Sequence, residues 1–178
     1  MSAASDRALN RIAALGLCVG AAFGLAGTLV DSPHLQASLW AIDSVGLVIA
    51  TALLAVKYFR AGADVVAAGF QVFAIGEGVL LSGTAAGPSA SVPAFAAGTA
   101  LWAAGLALIS GPRLLPPWLR ILGAGAAALF AMTAARIYAG EALLPTSSPL
   151  PFFAYPVLVA TLLGWAWMLV REDSSKHA

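Results

Sequence analysis

Charge is what this sequence has least of. Of its 178 residues only 10% are Asp, Glu, Lys or Arg, whereas 61% are hydrophobic. Soluble domains carry about 25% charged residues. A chain of this length cannot hide so much apolar sequence in a water-soluble core, and a mean hydropathy of +0.91 makes lipid its solvent. Short alternating strands are also missing, which argues against a β-barrel.

Other scarcities narrow the chemistry. Cys18 is the lone cysteine, so an intramolecular disulfide and thiol-pair redox chemistry are both excluded. The two histidines, His34 and His177, stand far apart in the chain. A multi-histidine metal or haem site within one subunit is not expected, and no cofactor is implied. There is no HExxH pattern, no span pairs a serine with a histidine, and no phosphate-binding motif occurs. No catalytic residue and no metal ligand can be nominated, so an intramembrane enzyme ranks behind the other readings. With a net charge of +1, no nucleic-acid partner is expected.

What the sequence does hold is six apolar runs, at about 11–30, 37–58, 64–84, 92–110, 118–139 and 152–170. Runs of about 20 residues match a hydrocarbon core of about 30 Å. The expected fold is an all-α, polytopic bundle of six transmembrane helices forming a single domain over 1–178. The first run follows Arg7 and Arg11, as a signal peptide would, but exceeds the usual 7–15-residue signal core. It is expected to be a true span. Eight of the nine basic residues (Arg7, Arg11, Lys57, Arg60, Arg113, Arg120, Arg171 and Lys176) fall on the side of the two termini. The positive-inside rule therefore puts both termini in the cytoplasm. Trp118, Trp165 and Trp167 suit a cytoplasmic aromatic belt, and Trp40, Tyr138 and Tyr155 an outer one.

Against this background three charges are out of place. Glu77 sits between Gly76 and Gly78 inside the third span, Asp43 lies in the second, and Arg136 in the fifth. A charge at mid-bilayer costs roughly 2.5–3.5 kcal/mol on insertion scales, so it normally faces a partner or a wet cavity. Counting from the outer ends at 1.5 Å per residue places Asp43 about 8 Å deep, Glu77 about 10 Å and Arg136 about 5 Å. Ser44, Thr133, Tyr138 and Tyr155 lie at similar levels. The expectation is one outward-facing polar pocket of Asp43, Glu77, Arg136, Tyr155, Thr133 and Tyr138. Arg136 would pair with one acid, and the other, expected to be the deeper Glu77, would keep a proton. Two alternatives stand beside it: an Arg136–carboxylate pair that only pins the bundle, or an Arg136 that snorkels to the outer headgroups.

Three further features carry expectations. Gly16, Gly20 and Gly24 recur every four residues, a smooth face suited either to ordinary helix packing or to a seam between two copies. Gln71 lies 240° around the helix from Glu77 and is expected to bond a neighbouring helix through its amide. The proline-bearing connection of residues 140–151 is expected to be either a rigid connector or a lid over the outer mouth.

The Arg11-Ile12-Ala13 start of span one and Pro116-Pro117-Trp118-Leu119-Arg120-Ile121-Leu122-Gly123 before span five, with six closely spaced helices, resemble small bacterial six-span integral membrane protein families of unknown function. The resemblance implies a bacterial inner (plasma) membrane and transfers no site residue. The functional expectation is binding or permeation of a small solute or ion, with proton linkage as one form of it. The alternative is an accessory or assembly subunit of a membrane complex whose buried charges are structural. The expected partners are the lipid bilayer, a small solute or ion, and a homo-oligomer or larger complex through the glycine face.

Overall fold

Proline and glycine set where several helices start and stop. In the computed structural model, which describes residues 3–85 and 88–175, α1 covers Ala3–Leu29, α2 Pro33–Arg60 and α3 Asp64–Ala85. The chain continues with α4 over Pro88–Ser110, α5 over Pro117–Tyr138 and α6 over Ala154–Ser175. Pro33 and Pro117 occupy first-turn positions, where a missing N–H removes no helical bond. Ser32 caps α2 by accepting from the Leu35 amide. Gly62 and Gly140, with φ of +72° and +102°, turn the chain out of α2 and α5. Among the described residues there is no strand, and all six helices are long and apolar enough to cross a membrane. The protein is an all-helical, multi-pass membrane bundle. Lys176 and His177 lie outside the described residues.

The cap at Ser32 corrects one boundary. α2 begins four residues before the apolar run, so Asp43 lies ten residues into the helix, about 15 Å from its start at 1.5 Å per residue. Glu77 is eight residues from the end of α3, about 12 Å by the same measure. Both acids lie farther from their helix ends than counting from the ends of the apolar runs gives.

The helices form a closed ring in chain order. Each packs on its predecessor and successor, and α6 closes against α1. Backbones of non-adjacent helices stay apart, so large side chains fill the middle. A continuous series of aromatic rings runs Tyr58, Phe70, Trp165, Phe73, Trp102, Phe130, Tyr155, with successive centroids 4.9–6.5 Å apart. Edge-to-face and offset contacts at such distances contribute about 0.5–1.5 kcal/mol each beyond area burial. Trp165 is therefore a core residue, 3% exposed, and not a member of the interfacial belt. Its helical register turns it inward while Trp167, two residues on, faces out.

Only α1 adds no ring to this series. It contributes closeness instead: a Cβ on Gly16 would sit 2.6 Å from the Gly46 carbonyl, and one on Gly24 2.8 Å from Asp43 Oδ2. The glycine face is thus filled by α2 of the same chain. This corrects the expectation of a homo-oligomer seam through Gly16, Gly20 and Gly24, because the smooth surface is already used for intramolecular contact.

At the face that carries the termini, a polar clasp joins three helices. Lys57 of α2 donates to Asn10 Oδ1 of α1 at 2.8 Å and to the Glu172 carboxylate of α6. Asn10 in turn donates to Asp173 Oδ1 at 2.9 Å. Arg120 donates to the carbonyls of Ser110 and Gly111, both at 2.8 Å, and so ties the start of α5 to the end of α4. A cation suits those orphan C-terminal carbonyls.

Candidate functional site

The site is built by adjacent faces of α1, α2, α3 and α6. Asp43 and Ser44 are consecutive on α2 and both buried, at 8% and 4% exposure. Glu77 of α3 is 2% exposed. Ser44 donates its hydroxyl to Glu77 Oε1 at 2.5 Å, a bond that joins the two helices. Two glycines of α1 lie over Asp43: a Cβ on Gly20 would be 3.1 Å from Oδ1. Small residues here leave room for a carboxyl between two helices.

The glycines beside Glu77 have different jobs. A Cβ at Gly76 would lie 2.9 Å from Leu101 Cβ and 3.0 Å from both the Gly98 carbonyl and Trp102 Cδ1. Its bareness lets α4 approach and sets the Trp102 indole beside Glu77. At Gly78 nothing lies within 4 Å, so that position faces outward.

These side chains open into a cavity of about 70 Å³, enough for a few water molecules. Asp43, Ser44, Glu77, Trp102 and Tyr155 line its inner part, and Trp40, Thr84, Ser91 and Pro145 carry it towards the face opposite the termini. Most of the remaining wall is leucine, and no Lys, Arg or His lines it among the described residues. Asp43 Oδ1 is buried without a hydrogen-bond partner; Glu77 Oε2 and Trp102 Nε1 make no hydrogen bond of good geometry, but the indole lies beside the Glu77 carboxyl and acts on it. An orphan such as Asp43 Oδ1 is rare and costly in folded proteins, about 1–3 kcal/mol and more when charged. Among the described residues no three His, Cys, Asp or Glu side chains gather as a metal-binding group.

Of the six residues nominated from the sequence, the structure brings Asp43, Glu77 and Tyr155 together. The other three are elsewhere. Arg136 forms a two-pronged pair with Glu141 just beyond the end of α5, with Nε–Oε1 at 2.9 Å and Nη2–Oε2 at 2.6 Å. It reaches outward to a loop acid near its own helix end, so neither buried carboxyl has it as a partner. The Arg136 guanidinium, through these hydrogen bonds, holds the Glu141 carboxyl below its ordinary range. Thr133 is buried but donates to the Leu129 carbonyl at 3.0 Å within its own helix. Tyr138 is 66% exposed on the outer surface of the bundle. Equal depth did not mean equal direction.

Two other expectations resolve here. Gln71 is exposed on the outer side of α3, with Ile75, Gly78 and Ser82, and makes no side-chain hydrogen bond among the described residues. The connection over 140–151 is folded rather than extended: the Leu144 amide donates to Ser147 Oγ at 2.9 Å, and Leu150 is 7% exposed. Its Pro145 lines the cavity, so the loop covers part of the mouth.

Sequence reading missed Trp40, Trp102, Pro145 and the Gly20–Gly24 roof over Asp43. The four-residue glycine spacing was a visible signal for close packing, but nothing in it named Asp43 as the group beneath. No protein-family model matches this chain, and neither a curated protein nor a solved structure matches it.

Proposed function

We propose that this is an inner-membrane protein, with both termini cytoplasmic, that binds or permeates a small solute or ion through a pocket open to the outer side. The orientation is supported by the basic residues of the terminal face, with Arg136 alone among lysines and arginines at the other end. The single observation that carries the functional reading is the cavity in which two buried carboxyls, Asp43 with its unpartnered Oδ1 and Glu77, meet with no basic residue among the described lining. Intramembrane carboxyls of this kind are functional by default. They need counter-charge, supplied by protons or by a bound cation. The purely structural account relied on Arg136 as the counter-ion, and Arg136 is engaged by Glu141.

The aromatic series, whose Trp102 and Tyr155 line the cavity, continues through Phe73, Trp165 and Phe70 to Tyr58 near the terminal face. Permeation therefore requires those rings to move, whereas binding does not. Flux of small ions and solutes into proteoliposomes, wild type against Glu77→Gln, tests permeation. Thermal stabilisation of the purified protein by the same solutes tests binding. Equal behaviour of both proteins in both assays removes the support for a solute pocket.

One observation favours the accessory-subunit reading. A groove between α4 and α5 is walled by alanines, including Ala100, Ala104, Ala128 and Ala135. Small residues let another helix approach closely. Co-purification of a second membrane protein that is lost on Ala104→Leu would support that role.

A further inference from the structure

We infer that the outer cavity takes a small organic ammonium, a protonated alkylamine of a few heavy atoms; this rests on the solute-pocket reading above. Two kinds of surface meet there. At the inner end lie two buried carboxyls, on side chains that are 8% and 2% exposed: Asp43, whose Oδ1 has no hydrogen-bond partner, and Glu77, which accepts from Ser44 at Oε1 and has the Trp102 indole beside it. An ammonium brings up to three N–H donors and a positive charge on one atom. Placed against these carboxyls, it forms charge-assisted bonds, which are stronger than neutral ones.

The rest of the wall is carbon. Leu25, Leu47, Leu80 and Leu158 form much of it, with aromatic rings from Trp40, Phe95 and Tyr155. An alkyl body gains by leaving water against such a surface, and aromatic faces attract cations. A bare inorganic cation fits this lining poorly. Calcium takes six to eight oxygens and magnesium demands near-octahedral coordination. The wall supplies two carboxyls and few hydroxyls, and its leucines cannot replace a hydration shell. The absence of lysine, arginine and histidine from the lining among the described residues also disfavours an anionic or zwitterionic ligand. Trp102, itself 5% exposed, stands beside Glu77 at the inner end of the cavity.

Trp40 and Trp102 line the cavity, so intrinsic fluorescence of the full chain in nanodiscs of phosphatidylglycerol reports occupancy. The probes are ethylammonium, tetramethylammonium, potassium and ethanol, at constant ionic strength. The expected result is a saturable change with ethylammonium, at least tenfold weaker binding of tetramethylammonium, which has no N–H, and no saturable response to ethanol. Asp43→Asn and Glu77→Gln should each weaken ethylammonium at least tenfold. Saturation by potassium or ethanol with ethylammonium inert overturns the ammonium assignment and leaves the solute pocket standing. No saturable response to any probe overturns both. Because the four probes are compared on the wild-type protein, the test survives a variant that fails to fold. Repeating the titration with phosphatidylethanolamine in the nanodisc separates sources: a higher apparent Kd identifies the lipid headgroup as a competing ammonium, and an unchanged one identifies a free amine.

Discussion

The two glycines beside Glu77 should respond oppositely to the same substitution. At Gly76 an alanine Cβ would stand 2.9 Å from Leu101 Cβ and 3.0 Å from the Gly98 carbonyl, where ordinary contact begins at 3.4 Å. One of those atoms is backbone, so no side-chain rotation relieves the overlap. α4 must retreat by roughly half an ångström, an overpacking of the kind that costs about 1–3 kcal/mol. At Gly78 the new methyl meets nothing within 4 Å, and replacing glycine inside a helix gains roughly 0.5–1 kcal/mol. That propensity gain is common to both variants, so their difference isolates the contact. A chain of this size shifts Tm by about 2–4 °C per kcal/mol. Gly76→Ala should therefore melt about 2–12 °C below Gly78→Ala in the same detergent. The emission of Trp102 should change in the first variant only. Equal melting temperatures, or a less stable Gly78→Ala, would refute the claim that Gly76 exists to admit α4.

Further outcomes follow from the same geometry. Gly24→Leu should destabilise the monomer itself, because its side chain would collide with Asp43; crosslinking that shows only a lost dimer would contradict this. Lys57→Met should cost about 1 kcal/mol, since it removes the cation that joins buried Asn10 to the Glu172 carboxylate, and the loss should shrink in high salt. The Arg136–Glu141 pair should protect the 140–151 connection from protease. Because the pair depresses the Glu141 carboxyl, its contribution is complete above the ordinary carboxylate range, about 4.3, and is lost as pH falls through the depressed value. Protease protection of wild type over Glu141→Gln should thus be present at neutral pH and absent in strong acid.

How far residues alone could be read is clearest at the three intramembrane charges. Depth along a helix follows from counting, and Asp43, Glu77 and Arg136 do share one end of the bundle. Direction around the helix does not follow from counting in a span whose every face is apolar. The hydrophobic pattern that would mark the inward side of a soluble helix is missing here, since lipid and core accept the same side chains. Arg136 accordingly looked like a partner for the acids and is instead engaged by a loop glutamate five residues away. Trp165 looked interfacial and is core. Gly16, Gly20 and Gly24 announced a close contact without saying with which helix.

Composition and the spacing of apolar runs were enough to establish a six-helix membrane bundle, because a chain in lipid must satisfy its backbone internally and helices do so locally. The basic bias of one face and the anomaly of Glu77 and Asp43 were equally open to reading. Which helices touch, and so which polar atoms share a cavity, was decided only in three dimensions. Closure of the ring by α6 on α1 brings Tyr155 to two acids over seventy residues away. The bare surface of Gly76 draws Trp102 to Glu77. Neither contact has a local cause, because helix packing in lipid is selected by shape complementarity between segments rather than by hydrophobicity within one.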